Sequence, residues 1–190
     1  WDELVGALPA FVRVENVVGG LAPDSDELMP PEQQLLIAGY WREIADQLGT
    51  EFNFDFWSHC SPRRSTYPAC RAVLAAKLQG AEALMIDAIQ RGYYLRALNP
   101  SDSTTLVRLA DEVGLDVNRF ARDIDSSEIQ KSLDQQFDLR RSLGVFSFPT
   151  LVLELDQQIH EVVLDYKDHQ KSLDDVLARV KNSPGCSVIS

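Results

Sequence analysis

Gly144-Val145-Phe146-Ser147-Phe148-Pro149-Thr150, running into Leu151-Val152-Leu153-Glu154-Leu155, is the stretch whose reading decides the fold. A glycine that stops a helix leads through a short apolar turn to a proline, and a β-rich run begins at once. Proline donates no ladder hydrogen bond, so within sheets it is confined to edges, bulges and strand starts. Here it heads a strand and follows an aromatic residue that an X-Pro bond pushes toward extended geometry. Such a bond takes the cis form at modest cost, typically in a tight turn. By itself the motif is an ordinary loop proline; its setting decides what it means.

Working outward toward the C terminus, Thr150–Leu155 reads as a strand, Asp156-Gln157-Gln158 as a turn and Ile159–Leu164 as a second strand, which makes a hairpin. Asp168–Val180 follows as a helix with Leu173, Val176, Leu177 and Val180 on one face, and 183–190 reads as a flexible tail. Toward the N terminus, Trp1–Leu8 is the end of a helix stopped by Pro9, and the alternating, β-branched run Phe11–Val18 is a strand closed by Gly19-Gly20.

Between these parts lie about a hundred residues of helical pattern. Pro31 opens a helix with Leu35, Leu36, Trp41, Ile44, Ala45 and Leu48 as its apolar stripe and Gly49 as its stop. Phe52–Trp57 is an aromatic connector, either a short extended piece or a set of rings that plug the insertion onto the rest of the protein. Ser65-Thr66 cap a helix reaching Gln79. Further helices span 81–98 and 103–113, then start at the cap Asp116 and at Ser126 or Ser127, the last with Ile129, Leu133, Phe137 and Leu143 inward. A helical run set between two sheet-forming parts indicates an insertion. The expected division is 1–28 with 139–182 for the sheet-bearing domain and 29–138 for the helical one.

Composition narrows the class. The 190 residues carry a net charge of −11, with 45% hydrophobic and 25% charged residues. That is a globular composition whose acidity opposes binding to nucleic-acid phosphates. No apolar run approaches the about 20 residues of a membrane span. Three cysteines, Cys60, Cys70 and Cys186, are too few and too odd in number for a disulfide-stapled fold, and suit a reducing, cytoplasmic setting. There is no C-x-x-C. The three scattered histidines make neither a metal site nor, for His59, a catalytic triad.

The order helix, strand, helical block, proline, hairpin, helix, together with several local stretches, resembles the DsbA-like branch of the thioredoxin superfamily, and within it the FrnE-like disulfide oxidoreductases. The stretches are Val17–Asp24, Phe52–Trp57, Arg63–Ala72, Ala88–Tyr94 and Leu143–Thr150. The resemblance implies an α/β fold, a thioredoxin-like domain interrupted by an inserted all-helical domain. It implies a C-x-x-C at the start of the first helix, upstream of Trp1, so that the chain as given is truncated at its N terminus. It makes Pro149 the cis proline of a substrate groove and Phe148 the residue whose backbone meets the substrate.

The activity implied is thiol–disulfide exchange with protein or small-molecule thiols and disulfides as partners and no bound cofactor or metal. Glutathione is a candidate co-substrate. Two alternatives stand beside it: a glutathione-dependent isomerase or transferase resembling 2-hydroxychromene-2-carboxylate isomerase, and a redox-inactive thioredoxin-like protein that binds extended peptides. Cys60 and Cys70 are either a secondary redox pair or unrelated thiols, Cys70 being a small buried hydrophobe. Arg63-Arg64 could hold a carboxylate or form a salt bridge in an acidic protein.

Overall fold

The computed structural model describes residues 1–180 and the backbone of 187–189. Two compact units emerge, one of residues 1–19 with 136–190, the other of 20–135. The second is therefore an insertion in the chain of the first, and the fold is thioredoxin-like with an inserted helical unit. The divisions fall earlier than the sequence suggests, because the loop after Gly20 is bonded into the helical unit. Ala22 exchanges hydrogen bonds with Thr66, Met29 N–H donates to Pro62 O, and Leu28 forms a bridge with Arg63.

The first unit holds α1 (Asp2–Ala7), β1 (Arg13–Glu15), β2 (Leu151–Leu155), β3 (Gln158–Val162), α9 (His169–Val180) and β4 (Ser187–Ile189). The sheet order is β1-β4-β2-β3, with β1 and β4 parallel and the other pairs antiparallel. Leu151, Val152 and Leu153 are all buried, as expected of an interior strand covered on both faces. The hairpin turns through Asp156 and Gln157 with φ of 51° and 64°, the left-handed pair that a two-residue primed turn demands. Leu4, Val12, Leu151, Leu153, Val162, Leu173, Val176 and Val180 form its core.

Two expectations change here. The strand read over Phe11–Val18 is only Arg13–Glu15, because Val12 N–H closes a turn onto Pro9 O and Val18 N–H is taken by a side chain. The tail read over 183–190 contains a strand at Ser187–Ile189. It occupies the gap between β1 and β2, whose facing ladder groups would otherwise lack partners. Residues 181–186 and 190 lie outside the described residues, and Cys186 with them.

The second unit contains α2 (Pro31–Leu48), α3 (Phe56–His59), α4 (Tyr67–Lys77), α5 (Glu82–Leu95), α6 (Ser103–Glu112), α7 (Val117–Asp123) and the start of α8 (Ser127–Ser142). The alanine-rich α4 runs through its middle with Ala72–Ala76 buried. The Asp116 carboxylate caps α7 by accepting from Arg119 N–H, as its position implies. Thr66 precedes α4 but does not cap it with its side chain; its hydroxyl is committed to Ala22 instead.

The rings of the connector at 52–57 pack against rings of the same helical unit, not as the expected plug onto the rest of the protein. Trp41, 4% exposed, stacks on Phe52 at 5.1 Å and meets Phe54, Phe56, Trp57, Tyr93 and Tyr94 within 6.0 Å between centroids. Trp41 is the one large apolar residue of the expected α2 stripe that turns inward. Leu35, Leu36, Ile44 and Leu48 are exposed. The correction has a plain cause: the helix rotates to set its indole among the six rings, which bury more surface per residue than the aliphatic stripe offers.

Trp41→Ala should cost about 3–5 kcal/mol, measured by urea denaturation, since the cavity opens where every neighbour is a ring. Burial among the rings, with a lesser contribution from neighbouring Tyr94, raises the Tyr93 phenol well above its ordinary value. The folded state thus holds a proton that the unfolded chain releases. The stability this brings is complete below the unfolded phenol pKa of about 10 and declines as pH climbs above it. An alkaline absorbance titration should show one fewer late-ionising tyrosine in Tyr93→Phe than in the parent chain.

Candidate functional site

The site is built where β2 begins. Gly144, with φ of 72°, ends α8, and the chain passes through Val145–Ser147 to a Phe148–Pro149 peptide that is cis. Thr150 Oγ1 donates to Ser147 O at 2.8 Å and closes the turn under the proline. Neither the N–H nor the C=O of Phe148 has a hydrogen-bond partner among the described residues. Both are free at the head of a strand, the requirement for accepting another extended segment. Phe146, 78% exposed, and Phe148, 39% exposed, supply apolar surface on either side.

The last turns of α8 hold this loop in place. Gln136 and Arg140 sit one turn apart, on one face of the helix. The Gln136 Oε1 accepts from Val18 N–H at 3.2 Å, and Arg140 Nη1 donates to Gly19 O at 2.8 Å. The same guanidinium lies 5.6 Å from the ring centroids of both Phe137 and Phe148. Its Nε is buried with no hydrogen-bond partner among the described residues. The Phe148 ring is pressed against Gly19. A Cβ added to that glycine would meet three ring carbons at 2.7–2.9 Å. Thus Gly19, Arg140 and Phe148 form one interlocking set that fixes where the free backbone of Phe148 stands.

The sequence identifies Phe148 and Pro149 but not Gln136, Arg140 or the packing role of Gly19, which reads simply as a strand exit. A polar pair at i and i+4 just ahead of a helix-stopping glycine is the only signal. It looks the same as any solvated helix face.

The other candidates scatter within the helical unit. Cys60 and Cys70 are both free thiols with separate partners. Cys60 Sγ donates to Ala97 O at 3.0 Å, and burial pushes its thiol up, Asp102 adding to the effect. Burial likewise raises Cys70, which a hydrogen bond with the backbone of Gly20 partly offsets. Both shifts oppose thiolate formation, the opposite of what a redox nucleophile needs. Arg63 is spent on Asp102 and Ser101 O, whereas Arg64 is exposed. No group of three or more metal-binding side chains occurs among the described residues. No helix among them is long and apolar enough to cross a membrane.

This architecture, an interrupted sheet unit with a proline-headed hairpin, defines a DsbA-like member of the thioredoxin superfamily. A family model described as Thioredoxin matches residues 32–172, and the chain belongs to that family. Among solved structures, it is similar to a Nitrosomonas europaea protein assigned as a protein disulfide isomerase. The TM-score is 0.70 at 23% identity, covering 84% of this chain and 80% of that one. The cytosolic disulfide reductase DsbM from Pseudomonas aeruginosa gives a TM-score of 0.63 at 27% identity, covering 80% and 77%, and its structure with GSH also matches. Among curated relatives, the ClpXP adapter protein SpxH of Bacillus subtilis (strain 168) is 29% identical over 119 residues, covering 61% of this chain and 40% of that protein. The chain spans less than half the length of the curated relatives it matches.

Placing a methyl group on Gly19 should matter only through the Phe148 ring. In the parent chain, Gly19→Ala should cost about 1–3 kcal/mol by denaturant melting. In a Phe148→Ala background the same change should cost close to nothing. Equal costs in the two backgrounds would separate Gly19 from the loop.

Proposed function

We propose that this chain is the substrate-binding and scaffold part of a cytoplasmic thiol–disulfide oxidoreductase whose C-x-x-C lies upstream of Trp1. The observation that carries the reading is the unpaired backbone of Phe148, held beside Pro149 by Arg140 and flanked by exposed rings. An extended segment carrying a disulfide would pair with that backbone by strand addition. A cysteine at a helix N-terminus is favoured as thiolate by the orphan N–H groups and the helix dipole. It attacks one sulfur of the substrate disulfide, forming a mixed disulfide and releasing the other sulfur as thiolate. The second cysteine then attacks the mixed disulfide. The substrate leaves with two thiols, the protein is left with a disulfide, and two glutathione thiols return it to the dithiol while becoming glutathione disulfide. The likeness to a structure of a cytosolic disulfide reductase with GSH supports this choice of reductant and compartment.

A second reading, binding without turnover, draws support from the curated relatives, which are named as adapter proteins. On this reading, the same groove or another face of the molecule captures a protein segment and no electrons move.

The test is glutathione-driven reduction of insulin disulfides by the full-length protein. Turnover is expected, and Phe148→Asp should lower kcat/KM about tenfold or more by removing the ring that Gly19 and Arg140 hold and so misplacing the substrate-facing backbone. Glutathione binding without exchange would replace the proposal with an isomerase or transferase. Peptide binding with neither activity would leave the redox-inactive protein.

A further inference from the structure

The outer face of α2 is a feature that the redox reading leaves unused. Leu36, Tyr40, Ile44 and Leu48 repeat every fourth residue, which makes a continuous ridge about 18 Å long on an α-helix. Their exposures are 55%, 52%, 39% and 38%. Soluble proteins seldom leave such a contiguous apolar surface uncovered unless something docks there. At its C-terminal end the ridge runs into an open cleft of about 370 Å³ whose floor is Trp41, Phe52 and Tyr94, with Ile44 at its edge. The cleft lies wholly within the helical unit.

The charges around this surface name the partner. Glu32 and Glu43 lie beside the ridge, four residues before Leu36 and three after Tyr40, and Glu51 and Asp87 border the cleft. Against these four carboxylates stand the guanidinium of Arg91, which lines the cleft, and that of Arg42, which lies over the Phe54 ring, 5.3 Å from its centroid. Glu51 and Asp87 have no ion-pair partner among the described residues. A second copy would bring these carboxylates onto their own kind, and an anionic membrane surface would be repelled in the same way. Strand addition has no edge to use here, because this unit is helical apart from one isolated bridge. The partner must therefore bring a backbone already satisfied, which is a helix.

We propose that the α2 ridge and the Trp41 cleft form a docking site for an amphipathic helix of another protein. Its apolar residues, at i and i+4 spacing, lie along Leu36–Leu48, with one large anchor in the cleft and Lys or Arg facing Glu43, Glu51 and Asp87. The site is separate from the Phe148 groove and does not depend on redox activity.

The test uses the full chain and fluorescein-labelled designed helical peptides with leucines at i, i+4 and i+8, flanked by lysine in one and glutamate in its twin, followed by anisotropy. The lysine peptide should bind at least about tenfold more tightly than the twin at low salt, with the gap narrowing as salt rises. Tyr40→Ser/Ile44→Ser should weaken it about tenfold or more, with the fold checked by circular dichroism and melting. Glu51→Gln/Asp87→Asn should shrink the preference for lysine, weakening the lysine peptide and strengthening its twin. Equal binding of both peptides, or full binding by the Tyr40/Ile44 double variant, overturns the proposal. So does loss of binding in Phe148→Ala but not in that double variant, which would move the site to the proline loop. Dimerisation of the chain that Tyr40→Ser/Ile44→Ser abolishes would also overturn it, by giving the face to a second copy.

Discussion

The sheet unit is made from two pieces of chain more than a hundred residues apart, and the constraint that governs it is how those pieces are joined. Gln136 and Arg140 take the N–H of Val18 and the C=O of Gly19 at the point where the first piece ends. Arg140 then carries the restraint on to Phe148 through its ring face. An arginine suits this because one planar group can donate to a carbonyl and stack on aromatic faces at once, which lysine cannot do. Gly19 belongs to the same set because only a residue without a side chain leaves room for the Phe148 ring. The position of the free Phe148 backbone is thus fixed by a helix turn and a strand exit rather than by the loop's own few residues.

What the sequence discloses follows from how local each cause is. Pro149 at the head of a strand, the Asp156-Gln157 turn and the Asp116 cap are local, and each is legible from a few residues. The α2 stripe is not. Its pattern is that of an amphipathic helix, but which side faces inward depends on six rings drawn from two later segments, and the ring cluster prevails over the aliphatic stripe. Thr66 looks like a cap but serves Ala22, a partner 44 residues away. Ser187–Ile189 reads as tail because three residues carry no period, and only the gap between β1 and β2 gives them a place. Arg140 looks like one more charge on a solvated helix face until Gly19 and Phe148 stand beside it.

The two surfaces left open have different chemistry. The proline loop offers unpaired backbone with aromatic flanks, suited to an extended segment. The α2 face offers an apolar ridge inside an acidic frame, suited to a helix with a satisfied backbone. A redox protein that also holds its client, or an adapter that retains the redox scaffold, would use the two together.

The central claim is that Phe148 presents its backbone to an extended substrate. Hydrogen exchange at the Phe148 amide of the full-length protein, with and without a bound disulfide-bearing peptide, tests it most directly. The account predicts fast exchange in the free protein and marked protection in the complex, with the ring clamped by Arg140 in both. An unchanged Phe148 amide in a saturated complex would contradict it.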